Sequence, residues 1–171
     1  MSARYVSNST WSDRVRVVGP SALVGHDAQM STLPRPIDLL PHRDPFLLVD
    51  ELIALDPGKS ATGIWRLTGD EYFFSGHFPG RPTLPGVLMC ESIAQVGACA
   101  VLADVQYAGK LPLFGGLDGA RFRRQVGPGD ELTIEVELGR MSARAGKGSG
   151  RALLNGDVAT SCDLMFVLAD A

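Results

Sequence analysis

Residues 85–103, PGVLMCESIAQVGACAVLA, constrain the fold more than any other stretch, because they form a helix-length run that is apolar on nearly every side. A surface helix buries one stripe; this one needs cover all round, so a sheet must surround it. Pro85 suits a first helical position, where its missing N–H would be unpaired anyway, and the helix is expected to begin there. Glu91, Ser92 and Gln95 interrupt the run, which falls short of the roughly 20 apolar residues that cross a bilayer, so no membrane insertion is expected.

The flanking sequence supplies the sheet. Apolar, β-branched runs at 46–55 and 61–67, separated by Pro57-Gly58, predict a hairpin. Further strands are predicted at 113–122, 131–141, 150–154 and 158–168, with Pro128-Gly129 and Asn155-Gly156-Asp157 as turns. Thr133, Glu135 and Glu137 alternate with Ile134, Val136 and Leu138, giving that strand one wet and one packed face. The class is α+β. Residues 1–32 are polar and aperiodic as far as the punctuation of Pro34 and Pro36. They are expected to be a tail, disordered or upstream of an alternative start at Met30, ahead of one domain over 33–171.

With 45% apolar and 20% charged residues in 171, the chain has the make-up of a single soluble domain. A net charge of −3 argues against nucleic-acid binding, and any anionic partner must meet a local basic patch. Cys90, Cys99 and Cys162 are odd in number and lack paired metal spacing, which predicts free thiols, no metal site and a reducing, cytoplasmic location.

Chemistry concentrates in Gly76-His77-Phe78-Pro79-Gly80, in Pro85-Gly86-Val87, and in Glu91 and Gln95. Alone, His77 reads as an ordinary loop histidine. In this company it becomes an acid/base candidate, because imidazole titrates near neutrality and Phe78 and the prolines can fix its loop and exclude water. Glu91 and Gln95 are four residues apart and share a helix face. A carboxylate in an apolar helix is costly to bury unpaired, so Glu91 must find a partner, meet a cavity or hold a proton. No Arg or Lys stands on the helix to pair with it, though an arginine elsewhere or a wet edge is the ordinary structural alternative. A protonated Glu91 can donate to a leaving hydroxyl while neutral His77 takes an α-proton beside a thioester carbonyl. The unpaired N–H groups of Gly86, Val87 and Leu88 at the helix start would polarise that carbonyl, and Gly86 lets a substrate approach the backbone.

At these residues, and over roughly 39–168, the sequence resembles the FabZ-type (3R)-3-hydroxyacyl-[acyl-carrier-protein] dehydratases of bacterial type II fatty-acid synthesis. Four ordered blocks carry the resemblance: LLPHRDPFLLVDE ending at Glu51, GHFPGRP from Gly76, LPGVLMCESIAQ from Leu84 and GLDGARFRRQVGPGDEL at 116–132. The 14-residue interval from His77 to Glu91 matches the family's catalytic pair. The resemblance implies a hot-dog fold, a long central helix wrapped by a curved antiparallel sheet. It implies a homodimer whose sites each take His77 from one chain and Glu91 from the other, with trimers of dimers as a larger form. It further implies no metal or organic cofactor, an acyl tunnel along the helix, and a phosphopantetheine arm delivered by acidic acyl carrier protein. Gly86 and Val87 would meet the carbonyl, Gln95 would order the pocket near Glu91, and Phe78, Leu113 and Phe114 would complete the substrate contacts. For the carrier protein, Arg121, Arg123, Arg124 and Lys110 form the candidate basic patch. In a strand Arg121 and Arg123 share one face and Arg124 the other, and ion pairs with Asp118 or Asp130 are the ordinary alternative.

The sequence departs from the family pattern at Asp44 and Leu113, where an aromatic residue is common, and these changes, with the glycines at 146–150, bear on chain-length preference. Glu91, in place of Asp, favours the FabZ-like branch over the dehydratase/isomerase branch. A stand-alone dehydratase of polyketide or other secondary metabolism would use the same residues. Rivals on the same fold are an acyl thioesterase, against which His77 in GHFPG argues, and a non-catalytic acyl-binding partner.

Overall fold

The computed structural model describes residues 33–170; the reading of 1–32 as a tail with a start at Met30 lies outside them. A short helix, α1 (Pro36–Leu39), precedes the hairpin of β1 (Glu51–Asp56) and β2 (Ser60–Arg66). The long helix α2 (Gly86–Leu102) and a 3-10 turn (Val105–Tyr107) lead to β3 (Lys110–Phe122), β4 (Glu131–Met141), β5 (Ala145–Leu154) and β6 (Asp157–Asp170). All six strands form one antiparallel sheet in the order β1-β2-β4-β5-β6-β3.

α2 packs against every one of the six strands. Laid flat, six strands would span ~24 Å, about twice a helix diameter, so a sheet that touches one helix with all its strands must curve round it. This is the hot-dog arrangement, and it gives α2 the all-round cover its composition demands: Ile93, Val96, Cys99, Ala100 and Val101 have no exposed surface. Contact is close because glycines face the helix. A Cβ added at Gly150 on β5 would lie 2.3 Å from Ile93 Cγ2, and one at Gly63 on β2 would lie 2.8 Å from Val96 Cγ2. On β4 the predicted alternation holds, with Leu132, Ile134 and Val136 buried and Glu137 exposed between the wetter positions. Asn155 (φ 52°) and Gly156 (φ 83°) make the two-residue turn from β5 to β6, a left-handed pair that suits the twist of a tight hairpin.

Three boundaries differ from expectation for identifiable reasons. Pro85 has ψ 125° and stands outside α2 as its N-cap, so the helix starts at Gly86. Residues 46–50 precede β1, because the Phe46 carbonyl and Leu48 amide bond to the Gln95 side chain where a neighbouring strand would otherwise stand. β5 begins at Ala145, five residues early, since Gly146, Gly148 and Gly150 give no strand signal yet alternate on its buried side. Cys90, Cys99 and Cys162 are free and buried, and burial pushes the Cys99 thiol up to about 12. Among the described residues no helix is long and apolar enough to cross a membrane.

Candidate active site

Glu91 and Gln95 project from one face of α2, and Gln95, 1% exposed, ties the surroundings together. Its Oε1 accepts the Leu48 N–H at 2.8 Å, while its Nε2 donates to the Phe46 carbonyl at 2.9 Å and to Glu91 Oε1 at 3.0 Å. An N–H can only face the amide oxygen and a carbonyl only the nitrogen, so these partners fix the amide's orientation. The segment thus held carries His42, whose Nε2 lies 3.7 Å from Glu91 Oε1 and whose ring stacks on Phe46. Glu91, Gln95 and His42 supply all the polar side chains lining a pocket of about 190 Å³. Its other walls come from the apolar side of the sheet, including Leu113 and Phe114 on β3, Leu138 on β4 and Phe166 on β6. Such a pocket fits an apolar chain with a polar, reactive end.

His77 comes at the end of a series of turns that opens near Glu71. Burial pushes the Glu71 carboxyl up, but the amides of Thr68 and Gly69 at 2.9 Å and the Thr68 hydroxyl outweigh it and hold the group below its ordinary value. His77 N–H then donates to the Phe73 carbonyl at 2.9 Å, and Thr83 N–H to the His77 carbonyl at 2.8 Å. The imidazole Nδ1 is 2.7 Å from the Thr83 carbonyl oxygen. A carbonyl only accepts, so Nδ1 carries a hydrogen, and in the neutral ring Nε2 is the nitrogen that can accept a proton. Phe78 stacks on this ring with centroids 4.0 Å apart.

At the start of α2 the N–H groups of Gly86 and Val87 have no partner among the described residues, but that of Leu88 donates to the Pro85 carbonyl at 2.9 Å. Two of the three expected donors are therefore free. The close approach that Gly86 permits is made by Phe122, whose ring lies 2.8 Å from where a Cβ would stand. Among the described residues no hydrogen bond or ion pair joins His77 to Glu91. Within one chain Glu91, Gln95, Leu113 and Phe114 line one pocket, and His77 and Phe78 are not part of its lining. Sequence reasoning missed His42 and Phe122. Both lie in the quoted motifs, but only long-range packing relates them to Glu91 and Gly86.

The basic cluster differs from its predicted pattern. β3 ends at Phe122, so Arg123 and Arg124 leave the strand, and both their amides turn to the Ala159 carbonyl. Arg124 pairs with Asp157 and Lys110 with Asp170, neither with Asp118 or Asp130. Arg121 donates to the Ala120 carbonyl and Arg123 to the Ser161 hydroxyl, leaving both without an acidic partner among the described residues. Among those residues no group of three or more His, Cys, Asp or Glu side chains is arranged to hold a metal ion.

The chain is similar to known proteins in sequence and in fold. The FabA-like domain family matches residues 40–163. The 3-hydroxyacyl-[acyl-carrier-protein] dehydratase FabZ of Halalkalibacterium halodurans is 52% identical over 130 residues, which cover 76% of this chain and 93% of that protein. The enzyme of the same name from Moorella thermoacetica is 48% identical over 132 residues, 77% and 92% of the two chains. Among solved structures, the dehydratase heterocomplex ApeI:P from Xenorhabdus doucetiae superposes with a TM-score of 0.69 at 19% identity, covering 81% of this chain and 93% of that one. The TT0310 protein from Thermus thermophilus gives a TM-score of 0.54 at 18% identity, covering 74% and 98%. These two share the fold.

Proposed function

The chain belongs to the FabA-like domain family, and from that premise we infer that it dehydrates (3R)-3-hydroxyacyl-[acyl-carrier-protein] to the trans-2-enoyl thioester in fatty-acid biosynthesis. The observation that carries the reading is the 48–52% identity to FabZ dehydratases over most of the chain, together with an apolar pocket whose polar wall is Glu91, Gln95 and His42. In this scheme bare Nε2 of His77 takes the α-proton, because Thr83 holds the other ring nitrogen as a donor. Glu91 gives a proton to the leaving hydroxyl, and water departs. The free amides of Gly86 and Val87 stabilise the charge that grows on the thioester oxygen.

The two halves meet across a dimer, with His77 of one copy completing the Glu91 pocket of the other. Two features support this. Within one chain no hydrogen bond or ion pair among the described residues links the halves, and β3 is a long edge strand that carries exposed Leu113, Phe114, Leu117 and Phe122. Such an edge is ordinarily covered. Arg121 and Arg123 are the proposed contacts for the acidic carrier protein, with Arg124 and Lys110 at the margin. The free thiols fit the cytoplasm.

The test is turnover of a purified 3-hydroxyacyl thioester of acyl carrier protein, with enoyl product expected and free thiol marking hydrolysis instead. His77→Ala and Glu91→Gln should each lower the rate at least about 10²-fold. Mixed after subunit exchange, half the dimers are hybrids with one intact site, which restores about a quarter of wild-type activity. Near-normal turnover by either variant overturns that residue's role; a dead mixture despite exchange overturns the shared site.

A further inference from the structure

His42 belongs to none of the roles assigned so far, yet among the described residues it is the one other titratable group that lines the pocket with Glu91. Its Nε2 is 3.7 Å from Glu91 Oε1, and the two side chains are 25% and 21% exposed. Its other nitrogen, Nδ1, is buried with no hydrogen-bond partner among the described residues. A hydrogen on Nδ1 would be an orphaned buried donor, which is costlier than a bare lone pair. The favoured form is therefore the neutral ring with its hydrogen on Nε2, aimed at Glu91. Gln95 donates to the same oxygen, Oε1, at 3.0 Å. With two N–H groups directed at Oε1, the carboxyl's own hydrogen is left to Oε2.

We propose that neutral His42 is a positioning residue for Glu91: with Gln95 it occupies Oε1, so that the transferable proton sits on Oε2. The proposal rests on the reading of Glu91 as the acid. The 3.7 Å separation exceeds hydrogen-bond length, and the proposal requires it to shorten in the substrate complex, where catalytic hydrogen bonds tighten. The loop cannot drift, since Gln95 fastens Phe46 and Leu48 to the helix that bears Glu91.

The form of His42 matters because an imidazolium beside a carboxyl favours the carboxylate, which has no proton to give. The charged neighbours of His42 are few. Glu91 faces it from α2, Arg43 follows it with its guanidinium on the Leu40 and His42 carbonyls, and Asp44 comes next. β3, β4 and β6 bring no titratable side chain to the pocket. In the proposed dimer the second copy adds a His77.

Three variants test the proposal. His42→Leu, which lacks a donor, should lower kcat about 10- to 100-fold with little change in KM. His42→Gln keeps an N–H that reaches Oε1 and does not titrate. It should recover most of kcat. Equal kcat in His42→Leu and wild type, or a His42→Gln variant no faster than His42→Leu, would overturn the proposal. If Glu91→Gln itself turns over normally, the acid assignment has failed; if it is dead while His42→Leu turns over like wild type, the role of His42 alone has failed.

Discussion

Replacing Gly150 with alanine tests how α2 is seated, and with it the position of Glu91 and Gln95. The added Cβ would lie 2.3 Å from Ile93 Cγ2, 3.0 Å from the Glu135 carbonyl oxygen and 3.1 Å from Val136 Cγ2. Carbon atoms rest about 3.5–4.0 Å apart, so the nearest approach must open by more than about 1 Å. β5 cannot retreat, because Gly150 pairs with Val136 on one side and Cys162 on the other. The helix must yield instead. Overpacking of this kind costs about 1–3 kcal/mol, and the closest contact argues for the upper end. Reduced freedom of the unfolded chain returns about 0.4–1 kcal/mol, leaving a net loss of about 2 kcal/mol. Ile93→Ala alone should cost about 2–5 kcal/mol, but it removes the methyl that clashes. Together the two changes should cost less than their sum by about 1–2 kcal/mol, a partial rescue because the Glu135 and Val136 contacts persist. Urea unfolding at one fixed protomer concentration measures this, with the midpoint moving and the slope constant. Glu91 and Gln95 each stand two residues from Ile93, so a lift of about 1 Å in Gly150→Ala should also cost up to about 10²-fold in turnover. Stability losses that add to within about 0.3 kcal/mol, or an alanine without effect, would refute the argument that this glycine sets the helix height.

Glu71→Gln should destabilise the fold by about 1–2 kcal/mol at neutral pH, since the turn before His77 loses its charged acceptor. Because the folded carboxyl lies below its ordinary value, its contribution is complete above about pH 4.3 and disappears as pH falls through the lowered value. Unfolding midpoints of wild type and variant should therefore converge in acid; a gap that stays constant with pH would contradict the assignment. Ala98, which lines the pocket from α2, gives a test of the acyl site: Ala98→Leu should raise KM for long acyl chains and spare short ones. Competition between long and short substrates reads this directly, and equal loss on both would mean that the pocket does not hold the chain.

The all-round apolar character of 85–103 was enough to require a wrapping sheet, and alternation over 133–138 with the Pro128-Gly129 turn before it located β4. β5 was half hidden, because strand signals come from side chains and three of its buried positions have none. Residues 46–50 misled for the opposite reason. Their composition suits a strand, but their backbone groups are claimed by a glutamine 47 to 49 positions away. Spacing brought out Glu91 and Gln95 as i, i+4 neighbours, while His42 meets them only through tertiary packing, which no local period encodes. The arginines were visible as a cluster, but their division into paired and unpaired members depended on where β3 stops and on Asp157 and Asp170 across the sheet.

The Gln95 clasp has a consequence for how this chain can vary. Its amide grips peptide groups on either side of Leu47, and a peptide group is the same whatever side chain its residue bears. The loop's registration on α2 is thereby insulated from the identity of Phe46 and Leu47, while Leu48, 3% exposed, is held by the core as well. The same insulation makes position 95 intolerant. Glutamate there would lose the donor to Phe46 and set a second carboxylate beside Glu91, and leucine would leave a buried N–H and a buried carbonyl unanswered at one stroke. One side chain thus carries the loop's backbone registration, while exposed Phe46 is free of it.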